Sequence, residues 1–140
     1  MDKKTLRMYL RIASTLALLA GLIMLLGILG VGLSQGSSGY NVIRGVHILL
    51  ALGLVGLYEM NMARNRTIMT PSGKQLGLVG RIVVTLTLVY GIFLLLTWLF
   101  GWITGDSFNG LVWVHIVLGL ASVALTEIVF SRRRLKAENS

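Results

Sequence analysis

Four long stretches of this chain carry no Asp, Glu, Lys or Arg, and that leaves it few ways to fold. They are Ile12–Leu33, Gly45–Tyr58, Ile82–Gly105 and Ser107–Thr126. A helix needs about 20 mostly apolar residues to cross the hydrocarbon layer. Three of the runs reach that length directly. Gly45–Tyr58 reaches it when Arg44 and Glu59 sit at its two ends, where polar tips extend to the interface. At 55% hydrophobic residues and a mean hydropathy of +0.81, a soluble domain of this length has nowhere to hide its apolar surface. The expected fold is all-α, an integral membrane four-helix bundle forming a single domain over residues 1–140. Its spans are placed at about 10–33, 41–63, 76–103 and 109–130, with Asn41 and Asn109 as candidate caps of the second and fourth helices. The first run is too long for a signal-peptide core and no small-x-small site closes it, so it is expected to be retained.

A net charge of +8 invites a nucleic-acid reading, and the positions of the charges argue against one. Lys3, Lys4, Arg7, Arg11, Arg64, Arg66, Lys74, Arg81, Arg132, Arg133, Arg134 and Lys136 all flank spans on one side, leaving only Arg44 on the other. That is the positive-inside pattern, with attraction to anionic lipid as its companion. It predicts a multi-pass protein of a bacterial or archaeal cytoplasmic membrane with both termini cytoplasmic. The lipid bilayer, and not nucleic acid, is then the partner of the basic residues. There is no cysteine, which removes disulfides, thiolate metal sites, iron–sulfur clusters and the usual covalent c-type heme attachment.

The two halves match each other. An offset of 68 residues overlays Tyr40–Met60 on Phe108–Ile128, pairing Asn41 with Asn109, His47 with His115 and Glu59 with Glu127. An offset of 70 pairs Arg11 with Arg81, Thr15 with Thr85 and Gly21 with Gly91. Leucine matches are cheap in apolar segments, but matched Arg, Asn, His and Glu are not. The pattern reads as two parallel repeats of a helical hairpin related by an axis along the membrane normal. It puts His47 and His115, the only histidines, at one depth, six residues past the asparagines and about 9 Å down each helix, in the outer leaflet.

Two imidazoles alone are a poor cage for a bare metal ion. The carboxylates on the same helices, Glu59 and Glu127, lie twelve residues further on, about 18 Å of helix away. A heme needs only two axial ligands from the protein, and helix bundles build such sites from facing helices. One b-type heme per chain, with iron ligated by His47 and His115, therefore meets the chemistry. Ala51 and Gly119 follow the histidines by four residues and leave room for a flat ring. Arg44, one turn before His47, suits a propionate, and Trp113 and Tyr40 could flank the same edge. Glu59 and Glu127 read as inner-end partners of Arg11 and Arg81, or as proton-handling groups. Gly21 and Gly91 read as points of close helix approach, or as room for a porphyrin edge. Trp98, Trp102, Trp113, Tyr40 and Phe108 read as interfacial belt aromatics, and Met24, Met60 and Met62 as packing.

Four spans with a histidine near the outer start of the second and the fourth, each in a V-H-x-x-L-A/G setting (Val46–Ala51 and Val114–Gly119), resemble one half of heme A synthase and four-helix b-type membrane cytochromes in general. The resemblance covers nearly the whole chain and implies that His47 and His115 are axial heme ligands. The synthases usually carry two such halves where this chain has one. Their reaction centre also places a glutamate before a histidine where this chain has Arg44. The implied role is one-electron transfer near the extracytoplasmic side, alone or as a small subunit of a respiratory or photosynthetic complex, with a quinone or partner cytochrome to exchange the electron. A homodimer is compatible with the same pattern. Two other classes stay open. One is a cofactor-free assembly or scaffold subunit in which the histidines tie helices together. The other is a small proton-coupled transporter that uses Glu59, Glu127 and the two histidines for protons.

Overall fold

The computed structural model describes residues 2–130. The basic residues Arg132, Arg133, Arg134 and Lys136 lie outside the described residues. The protein is all-α, with helices α1 (Lys3–Ile28), α2 (Ser38–Asn65), α3 (Pro71–Phe100) and α4 (Gly105–Val129). Each is long and apolar enough to cross a membrane, with mean hydropathy from 1.6 to 2.4 over its most apolar stretch. The chain divides into two compact units, Met1–Asn61 and Met62–Ser140. The first contains α1 and most of α2, and the second contains the last turn of α2 with α3 and α4.

The helices start and stop where backbone hydrogen bonding allows, not where hydropathy changes. α1 begins inside the basic head because the Asp2 carboxylate accepts the Thr5 N–H at 2.7 Å, an N-cap bond. It ends in a Schellman turn. Gly30 takes a left-handed conformation (φ 77°), its N–H donates to Gly27 O at 3.2 Å, and the Val31 N–H donates to Leu26 O at 2.8 Å. α3 begins with Pro71 in its first turn behind the N-cap Thr70, whose hydroxyl accepts the Gly73 N–H at 3.1 Å. Pro71, expected in the loop, suits this place because its missing N–H has no helical partner there. α3 closes on Gly101 (φ 63°), with the Trp102 N–H donating to Thr97 O at 3.1 Å.

Two expected caps are corrected. Asn41 lies inside α2, which starts at Ser38, and the hydroxyl of Ser37 accepts the Tyr40 N–H at 3.2 Å. Asn109 lies inside α4, whose N-cap is Thr104 without a side-chain cap bond. Both helices therefore begin several residues earlier than hydropathy suggested. His47 lies ten residues past Ser37, and His115 eleven past Thr104. That is about 15–16 Å along the helix axes, deeper than the 9 Å expected from asparagine caps.

Little of the apolar surface is covered. Leu49 is 70% exposed, Val42 64%, Val117 63% and Ile82 58%, an outer surface that only lipid would solvate favourably. In lipid, apolar burial does not hold helices together; small residues and interhelical hydrogen bonds do. The interiors match that. In the first unit, Ser14 and Asn61 are buried among Leu6, Leu10, Ala17, Ala20, Leu54 and Tyr58. The Asn61 amide donates to Leu57 O within α2 and across to Leu6 O on α1 at 3.2 Å. In the second unit, Thr87 on α3 reaches α4, at 2.8 Å from the Ser122 hydroxyl and 3.2 Å from Leu118 O. Three buried positions of α2 recur in α4 at the 68-residue offset. Leu54, Tyr58 and Asn61 are buried in α2, and so are Ser122, Thr126 and Val129, 68 residues on in α4.

Candidate functional site

Each histidine is seated inside its own unit, against the helix that precedes it. In the first unit the His47 ring lies on Gly21 of α1. A Cβ added to Gly21 would stand 3.1 Å from Cε1 of the imidazole and 3.5 Å from Nδ1. In the second unit the His115 ring lies on Gly91 of α3, where an added Cβ would stand 2.8 Å from Cε1 and 3.4 Å from Nε2. Gly21 and Gly91 are the pair matched by the 70-residue offset, and His47 and His115 the pair matched by the 68-residue offset. The glycines read as points of close approach thus receive imidazoles, with Cε1 the nearest atom in both seats, followed by Nδ1 in His47 and by Nε2 in His115.

The remaining contacts differ between the units. Nδ1 of His47 lies 2.9 Å from Ala17 O. A carbonyl oxygen only accepts, so Nδ1 carries the proton and Nε2 is the lone-pair nitrogen of the neutral ring. Metal-bound histidines are oriented by this kind of outer hydrogen bond, which also raises the basicity of the ligating nitrogen. In the second unit, offset 70 puts Thr87 at the Ala17 position, and its hydroxyl serves the α3–α4 link. His115 instead has Tyr90 stacked beside it, with ring centroids 6.3 Å apart and planes 17° from parallel. Tyr90 in turn packs at 6.0 Å from Phe93.

The other expected site residues fall as follows. Ala51 and Gly119 lie one turn past each histidine and are half-buried, and a Cβ on Gly119 would meet no atom within 4 Å. Arg44 is half-buried in α2, one turn before His47. Trp113 is 52% exposed and is not buried beside His115. Among the described residues, no three His, Asp or Glu side chains gather where they could hold a metal ion. Each unit instead presents one imidazole, seated on a glycine of the preceding helix.

Comparison with family models, curated proteins and solved structures finds no match to this chain. Function therefore rests on the two seats.

Tyr90 escaped the sequence reading, because an aromatic residue inside an apolar run looks like packing. Two signals pointed to it. It immediately precedes the matched Gly91, and it lies inside the span rather than at an interface where belt tyrosines collect.

Proposed function

We propose that this chain is a b-type membrane cytochrome that holds one heme, with His47 and His115 as the two iron ligands. The observation that carries the proposal is the shared seating of the two histidines, each with its Cε1 edge on the glycine matched by the repeat. A histidine kept only as helix glue needs one hydrogen bond, not a matched glycine in both units. The repeated burial pattern supports a duplicated hairpin as the origin of the pair.

An iron porphyrin held by His47 and His115 would supply a one-electron couple. The chain's residues do the rest. Ala17 O fixes the tautomer of His47 and keeps Nε2 basic. Gly21 and Gly91 let the rings approach their neighbouring helices. Gly119 and Ala51, one turn past the histidines, would leave room for the ring. Arg44 offers a guanidinium to a propionate one turn outward. Because the basic residues flank the opposite ends of the helices, the positive-inside rule puts Arg44 on the extracytoplasmic side of a cytoplasmic membrane. A quinone or a larger redox complex is the partner of such a carrier.

The purified full-length chain should show a Soret band and sharp α and β bands on reduction, and His47→Ala and His115→Ala should each lose them. A chain that stays colourless when expressed with ample heme would sink the proposal. So would either alanine variant that kept the reduced spectrum.

A scaffold reading has one observation of its own, the His47–Ala17 hydrogen bond between α1 and α2, which ties helices with or without a cofactor. It predicts that His47→Ala lowers the stability of a colourless protein while His115→Ala lowers it less.

A further inference from the structure

The two seats share a glycine and then diverge. The first fixes its imidazole with a carbonyl, a directional bond that leaves the ring one tautomer and a narrow range of rotation. The second sets a phenol ring nearly parallel to the imidazole, 17° from it at 6.3 Å, within the range of offset aromatic pairs. On α3 the adjacent residue, Gly91, supplies the surface that the Cε1 edge of the same imidazole touches. The counterpart of Tyr90 at offset 70 is Ala20, which has no ring to offer. His115 is thus held on α3 by two consecutive residues, a wall and a floor, where His47 is held by a hydrogen bond and a floor.

We propose that Tyr90 and Gly91 form a clamp that sets the rotation of the His115 imidazole, making Tyr90 a positioning residue for that iron ligand. The assignment of His115 as a ligand rests on the heme reading; the clamp itself does not. A stacked phenol restricts rotation about the Cβ–Cγ bond without taking up either ring nitrogen. It orients the ring while leaving the tautomer to other contacts, whereas Ala17 O constrains both for His47. The two histidines are therefore seated differently, His47 with a directional hydrogen bond at Nδ1 and His115 with a stacked ring beside it. Stacking depends on the ring and not on the hydroxyl, so Tyr90→Phe should preserve the clamp and Tyr90→Leu should release it. Tyr90→Met, another flexible apolar replacement, serves if the leucine variant does not fold.

The test uses the full chain in detergent micelles with isotope-labelled histidine, first without heme and then with hemin added. In the heme-free chain, the His115 ring resonances should carry a ring-current shift in wild type and Tyr90→Phe and lose it in Tyr90→Leu, while the His47 resonances stay in place. With heme bound, the largest electron paramagnetic resonance g-value follows the angle between the two imidazole planes. It should be the same in wild type and Tyr90→Phe and displaced in Tyr90→Leu, and the midpoint potential should move with it. His115 resonances that ignore Tyr90→Leu overturn the clamp. Resonances that move while the g-values of the loaded chain do not would overturn the positioning of a ligand. A wild-type chain that takes up no heme overturns the heme reading and the ligand half of the proposal together, with the histidine resonances still deciding the clamp.

Discussion

The imidazole of His115 lies so close to Gly91 that a methyl group on that α-carbon would stand 2.8 Å from Cε1. At Gly21 the same methyl would stand 3.1 Å from Cε1 of His47. The first distance is inside carbon–carbon contact and forces the ring to move. The second is tight but yields to a shift of a few tenths of an ångström.

A graded pair of variants follows from that difference. Overpacking by one methyl costs about 1–3 kcal/mol, and about 1.4 kcal/mol corresponds to a tenfold change in affinity. Under the heme proposal, Gly91→Ala should weaken heme retention by about tenfold or more, and Gly21→Ala by less. Heme titration followed by absorbance checks the order. Equal retention in both variants and wild type would mean that the glycines do not set the ring positions.

The Asn61 amide joins α2 to the carbonyl of Leu6 at 3.2 Å, in a fully buried place. Both carbonyls it reaches sit within helices whose own ladders satisfy them first. The loss in Asn61→Ala should therefore be that of a supplementary bond, about 1 kcal/mol, not that of an orphaned group. Asn61→Asp should cost more, because it replaces a donor with a buried acid facing two carbonyls. Reversible unfolding in mixed micelles ranks the two.

Thr87 and Ser122 place their hydroxyls 2.8 Å apart between α3 and α4. A double-mutant cycle with Thr87→Val and Ser122→Ala should return a coupling of about 0.6 kcal/mol, the usual size of such bonds in membrane helices. A coupling of zero would show that each hydroxyl is satisfied by backbone alone, through Val83 O for Thr87 and Leu118 O for Ser122.

Acid should fray the start of α1. The Thr5 backbone N–H, donating to the Asp2 carboxylate, holds its pKa below the ordinary value of 3.8, and the Thr5 side chain adds to this. A lowered folded-state pKa means that the cap stabilises the helix fully above the ordinary carboxylate pKa and loses that contribution as pH falls through the lowered one. Amide exchange at Thr5 should therefore quicken, relative to a helix-interior amide, as pH falls below about 4. In Asp2→Asn, which still accepts the bond but does not titrate, that extra quickening should vanish.

The sequence made the spans legible, because four charge-free runs admit only helices in lipid, and each expected span overlaps one observed helix. It also made both histidine–glycine pairs legible as matched letters, though not as contacts. The ends were illegible for a physical reason. Hydropathy reports where a chain would leave hydrocarbon, while a helix starts where its first N–H groups find acceptors. Asn41 stands at a hydropathy edge and looked like a cap, yet Ser37 provides the acceptor. Tyr40 then falls in the first turn of α2, where it packs against Gly27. The Tyr90–His115 stack was illegible because it depends on which faces of α3 and α4 meet, and an offset within one chain cannot supply that.

The contacts described for the two histidine seats come from earlier in the chain. Ala17 and Gly21 precede His47, and Tyr90 and Gly91 precede His115. During synthesis each ring therefore emerges after the helix that receives it. Once α2 has emerged, the first imidazole can close onto α1 before α3 has been translated, and the second waits on nothing beyond α4. The chain can be assembled one arm at a time, each arm reaching the bilayer with its histidine already aimed.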